Sequence, residues 1–167
     1  MSSNVAVDQL VIENGGQLTV DQTTGVLNIN DGSGFDIDIK SGGVLQVINS
    51  GTTFSYSQTV IFASNASMNV SGKVMVGNGS STMGGGYGEF GFAAASQIIW
   101  NHNAILEWNT TGSVPATSGQ TYFPGLSAAT VPIFRISAIS GSNLGGGSDT
   151  VINGLFQLNG TTVNWGG

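Results

Sequence analysis

This 167-residue chain reads as an all-β protein wound as a parallel β-helix, right-handed because parallel crossover connections overwhelmingly take that hand. Three observations lead there. Apolar residues recur in pairs spaced by two, the period of a strand with one buried face. Turns rich in Gly, Asn and Ser close the pairs, whose centres lie roughly 6 to 10 residues apart, too close for helices between them. No i, i+3, i+4, i+7 apolar stripe is present, and β-branched residues and glycine dominate. A β-sandwich or meander is the alternative. The solenoid accounts better for turns that resemble one another and for short strands with no long partner strand.

Residues 5–80 are the regular part. Their pairs are Leu10/Ile12, Leu18/Val20, Leu27/Ile29, Ile37/Ile39, Leu45/Val47, Phe54/Tyr56, Val60/Phe62, Met68/Val70 and Val74/Val76. Asn14-Gly15-Gly16, Asp31-Gly32-Ser33-Gly34, Ser41-Gly42-Gly43, Asn49-Ser50-Gly51 and Ser71-Gly72 supply the turns between them. Three pairs make a coil of roughly 20 to 27 residues, so this part predicts three coils. Residues 81–95 are glycine-rich with interleaved aromatics and read as a loop or lateral excursion. They are no phosphate cradle, because no GKS/T ending follows. Residues 96–167 are less regular coils carrying Ile98/Trp100, Leu106/Trp108, Phe134/Ile136, Phe156/Leu158 and Val163/Trp165. Pro115, Pro124 and Pro132 mark turns or an edge segment there, and Ser140 to Asp149 reads as a second loop. The whole, 1–167, is one solenoid domain. Trp165-Gly166-Gly167 follows an apolar pair with no polar cap. The expectation is therefore a fragment of a longer repetitive protein, or an end that associates end to end with another copy or subunit.

Composition narrows the function. Charged residues make up 7% of the chain and the net charge is −6, with Lys40, Lys73 and Arg135 the only cations. Nucleic-acid binding needs clustered Lys and Arg to displace counterions and is excluded on that ground. No apolar run reaches the ~20 residues of a membrane helix, so no membrane insertion is expected. Cysteine is absent, which removes disulfides, thiolate metal sites and thiol nucleophiles.

Candidate chemistry rests on few residues. Asp36 and Asp38 alternate with Ile37 and Ile39, so both are expected to point outward on one strand face, where they could bind calcium, act as a catalytic pair, or simply be solvated. Asp31-Gly32-Ser33-Gly34-Phe35-Asp36 partly matches the calcium-binding nonapeptide of parallel β-rolls. It departs from that pattern at Asp31, where the pattern has Gly, and at Asp38, where it has an apolar residue. Asp31, Asp36 and Asp38 are thus the candidate calcium ligands; no other cofactor is indicated. His102, the only histidine, sits in Asn101-His102-Asn103 and reads as a turn residue. Trp100, Trp108, Tyr87 and Tyr122 are the candidate ligand-binding residues, because flat aromatics on an amide-rich, weakly charged surface suit the apolar faces of sugars. The competing reading stacks Trp100 and Trp108 in the core, since their eight-residue spacing equals that of the core pairs.

Several stretches resemble one family. Asn14-Gly15-Gly16-Gln17-Leu18-Thr19-Val20 is similar to the repeat regions of large secreted surface proteins of Bacteroidetes-type bacteria. So are Trp100 with Leu106-Glu107-Trp108-Asn109, Thr121-Tyr122-Phe123-Pro124-Gly125, Val131 to Ile136, and Val151 to Gly160. The resemblance implies a β-solenoid, export by type IX secretion and an adhesin-like role. It carries over no catalytic residues. The expected function is a non-catalytic structural or adhesive module of a secreted or cell-surface bacterial protein, not an enzyme, binding a glycan or another surface protein. A polysaccharide lyase or glycoside hydrolase on a β-helix scaffold is the alternative.

Overall fold

The computed structural model describes residues 3–50, 58–78, 89–92, 97–109, 132–137, 142–144, 155–159 and 163–165. Every regular element among them is a strand. A first set comprises β1 (Val5–Val7), β2 (Leu10–Ile12) and β3 (Gln17–Asp21), and a second β4 (Leu27–Ile29), β5 (Ile37–Ile39) and β6 (Val44–Ile48). A third comprises β7 (Gln58–Phe62), β8 (Ser67–Val70) and β9 (Lys73–Val76), and a fourth β10 (Glu89–Phe92), β11 (Gln97–Trp100) and β12 (Ile105–Trp108). Then follow β13 (Ile133–Ile136), β14 (Ser142–Leu144), β15 (Leu155–Leu158) and β16 (Val163–Trp165).

The strands pair in parallel and, through β12, always with strands three places away. The first sheet runs β1-β4-β7-β10, the second β11-β8-β5-β2 and the third β15-β13-β12-β9-β6-β3, while β14 and β16 pair separately. The chain thus visits three sheets in turn through four sets of strands, a β-helix-like arrangement. After β12 it alternates between the third sheet and the β14–β16 pair. All five pairs expected in the second half fall in strands. Phe54/Tyr56 lies outside the described residues.

Alternation along each strand builds the core. In the third sheet Leu18, Leu45, Val74, Leu106, Phe134 and Phe156 stand in one inward column; Val20, Val47, Val76, Trp108, Ile136 and Leu158 stand in the next. Each set buries few residues, but register stacks like on like, so the columns merge into one apolar cluster shared by all three sheets. Burying each Leu, Ile, Val, Phe or Met side chain contributes about 1.5–3 kcal/mol. Leu158, on edge strand β15, is 50% exposed because no strand covers its far side among the described residues.

Three of the turns into the third sheet, those before β3, β6 and β12, share one geometry. Gly16, Gly43 and Ala104 each donate an N–H to the carbonyl three residues back, on Glu13, Lys40 and Asn101. The third residue of each turn is left-handed: Gly15 at φ 77°, Gly42 at 82° and Asn103 at 62°. Gly and Asn are the residues that tolerate this conformation. His102 is exposed in one of these turns.

Two segments expected as loops contain strands. Glu89–Phe92, within 81–95, forms β10 against β7 through a register irregularity between Glu89 and Phe90. Phe90 is buried with its ring 6.3 Å from that of Phe62, and this apolar contact draws a glycine-rich segment into the sheet. Ser142–Leu144, within the second expected loop, forms β14.

Candidate functional site on the outer face of the third sheet

The three candidate calcium ligands do not stand together. Asp38 lies outward on β5, where its carboxylate pairs with Lys40 Nζ and accepts from Asn69 Nδ2 at 2.9 Å. Asn101 Nδ2 in turn donates to Asn69 Oδ1 at 2.8 Å, so the polar row crosses three strand levels. Asp36 departs from expectation. It precedes β5, so strand alternation does not govern it, and it is buried at 1% exposure. Its Oδ1 accepts from the N–H of Gly32 at 2.6 Å and its Oδ2 from the N–H of Ser67 at 2.7 Å. The residue therefore closes its own loop and ties it to the next coil. Each of those N–H groups left unsatisfied would cost about 1–3 kcal/mol. Asp31 lies exposed in the loop before it. Among the described residues no three His, Cys, Asp or Glu side chains converge in a group fit for a metal ion.

The aromatic candidates divide as well. Trp108 is 1% exposed and Trp100 5%, both members of the core cluster. Trp108 stacks between Val76 and Ile136 in the register of the third sheet. Both rings therefore lie in the core rather than on a face open to a sugar, because each occupies an inward position of its strand. Tyr87 and Tyr122 lie outside the described residues.

A different constellation assembles on the outer face of the third sheet. Thr19, Gln46, Met75, Glu107, Arg135 and Gln157 stand in one outward column. Gln46 bridges levels, with Thr19 Oγ1 donating to its Oε1 at 3.3 Å and its Nε2 donating to the Gly77 carbonyl at 2.9 Å. Further along, Glu107 Oε2 lies 2.9 Å from Lys73 Nζ and 3.5 Å from Arg135 Nη1. Arg135 Nε donates to Gln157 Oε1 at 3.1 Å. Two of the chain's three cations thus share one carboxylate. Burial pushes the Glu107 carboxyl up, but the Lys73 hydrogen bond and the Lys73 and Arg135 charges outweigh it, and its pKa falls below the ordinary value. Glu107 is held ionised at neutral pH.

In the sequence Glu107 stands only as part of the Leu106-Glu107-Trp108-Asn109 stretch, with no role and no partner assigned to it. The available signal was that Lys73, Glu107 and Arg135 all occupy outward positions of their strands in a chain with three cations. Asp21, at the first edge of the same sheet, accepts from the Ser50 N–H at 3.1 Å and from Thr23 Oγ1 at 2.9 Å.

The chain matches no protein-family model, and searches of curated proteins and of solved structures return no match. Among the described residues no helix is long and apolar enough to cross a membrane.

Proposed function

We propose that this chain is a stretch of right-handed parallel β-helix serving as a non-catalytic structural and adhesive module of a secreted or cell-surface bacterial protein, binding a glycan or a neighbouring surface protein. One observation carries the reading: four carboxylates among the described residues are engaged in holding one strand level to the next. Asp21 bonds Ser50, Asp36 bonds Ser67, Asp38 bonds Asn69 and Glu107 bonds Lys73, across sequence separations of 29, 31, 31 and 34 residues. Acid–base catalysis on sugars needs two carboxyl groups facing one substrate with their pKa values pushed apart. Asp36 and Asp38, the pair that motivates the hydrolase or lyase alternative, do not share a face. Low charge with abundant Ser, Thr and Asn supports exposure to solvent as a rigid spacer, and the resemblance to exported repeat proteins supports the location.

A glycan array probed with the purified chain, once with calcium and once with chelator, tests the adhesive part. Reproducible retention of one sugar class is the expected result. An array blank under both conditions refutes adhesion to glycans and leaves a spacer or protein-assembly module.

A further inference from the structure

We infer that the outer face of the third sheet, around Lys73, Glu107 and Arg135, binds a linear polysaccharide bearing carboxylates, a uronate polymer in chemical class. This rests on the adhesive reading above and names its ligand.

The first argument is charge. Across β9, β12, β13 and β15 the outer face carries Lys73 and Arg135 against Glu107, a surplus of one positive charge in a chain of net charge −6. Asp21 stands on the same face, but at the far edge strand, beyond β6. The outward column of the second sheet, Val11, Asp38, Asn69 and Ile99, holds one acid that Lys40, just past β5, neutralises, and carries no positive surplus. An anion approaching the described strands therefore meets its favourable potential on the third sheet.

The second argument is depth. The Glu107 side chain is 9% exposed, whereas those of Lys73 and Arg135 are each 26% exposed. The carboxylate is the more buried partner and the two cationic side chains are the more exposed. Glu107 orders the two cations and cancels one of their charges. Arg135 reaches Glu107 through Nη1 and Gln157 through Nε, and the five donors of a guanidinium leave others for a second carboxylate.

The third argument is shape. Lys73 Nζ and Arg135 Nη1 lie 2.9 Å and 3.5 Å from the same Glu107 oxygen, so strands two places apart bring their cationic heads together at one spot, where a carboxylate of an extended chain could meet both. Ile105 and Ile133 continue the Lys73 column and are partly exposed. They offer an apolar strip to the faces of the sugar rings beside the polar column that would meet carboxylates and hydroxyls.

The test is affinity electrophoresis of the intact chain through gels containing oligogalacturonate or its methyl ester, in chelator and at low salt. The ester keeps the sugar and removes the charge. The acid form should retard the protein and the ester roughly tenfold less, since a charge-assisted contact is lost. Arg135→Gln should weaken retention of the acid roughly tenfold, Arg135→Lys should keep most of it, and Glu107→Gln should strengthen it. Lys73→Gln serves in place of Arg135→Gln if that variant does not melt as the parent does. Equal retention of acid and ester, or full retention by a natively melting Arg135→Gln protein, overturns this inference and leaves glycan adhesion standing. Retention of no glycan, here or on the array, overturns both.

Discussion

Replacing Trp108 with alanine is the sharpest test of how this chain holds together. The indole is 1% exposed, is among the largest fully buried side chains, and sits in a column between Val76 and Ile136. Truncation removes an entire bicyclic side chain from an interior packed at crystal-like density, and the neighbours can close only part of the void. Trp→Ala changes at such positions cost about 3–5 kcal/mol. Against a total stability of about 5–15 kcal/mol, that is a large fraction. For a chain of this size each kcal/mol lowers Tm by about 2–4 °C, so Trp108→Ala should melt roughly 6–20 °C below the parent. Trp108→Phe, which keeps an aromatic ring in the column, should lose a minor part of that. Thermal melts followed by far-UV circular dichroism read the difference directly. A Trp108→Ala protein melting within about 2 °C of the parent would refute the placement of the ring in the core and return Trp108 to consideration as a surface residue.

Two further outcomes follow from the same structure. Glu107, Asp21 and Asp38 all have pKa values below their ordinary 4.5, 3.8 and 3.8, because hydrogen bonds and charges overcome the opposing effect of burial. The native state therefore binds fewer protons than the unfolded chain, so stability is fully present above about pH 4.5 and is lost as pH falls through the depressed values. Melts across acidic pH should show this decline, and Glu107→Gln should flatten part of it; an unchanged slope in that variant would remove Glu107 from the account. Gly72 lies where coils stack closely: a Cβ there would stand 2.4 Å from the carbonyl oxygens of both Gly43 and Lys40. Backbone cannot yield cheaply, so Gly72→Ala should lower stability by about 1–3 kcal/mol in urea titration, whereas an unchanged midpoint would contradict the close approach.

Much of the architecture was readable from local pattern. Leu45-Gln46-Val47 and Leu106-Glu107-Trp108 alternate apolar with polar, and an extended backbone turns such alternation into an inner and an outer face wherever the strand lies. Asn14-Gly15-Gly16 and Ser41-Gly42-Gly43 marked turns because the left-handed backbone at Gly15 and Gly42 is what glycine permits. Local pattern misled where a neighbour in space overrode it. Glu89–Phe92 reads as loop from its glycines, yet Phe90 gains enough by packing near Phe62 to make a strand. Asp36 reads as an outward partner of Asp38, yet the N–H groups of Gly32 and Ser67 draw it inward.

The sequence by itself determined the inward alternation of most strands and the place of most turns, because both depend on residues two to four positions apart and on the conformations each residue tolerates. The tertiary structure alone decided which coil levels face one another. The turns differ in length, so no constant period carries Lys73 onto Glu107, 34 residues later, or Asn69 onto Asp38, 31 residues earlier. Only the hydrogen-bonded register of β9, β12 and β13 brings both cations to within 4 Å of the Glu107 carboxylate. Electrostatic contact depends on distance through space, and in a stack of coils that distance is set by which strands lie side by side.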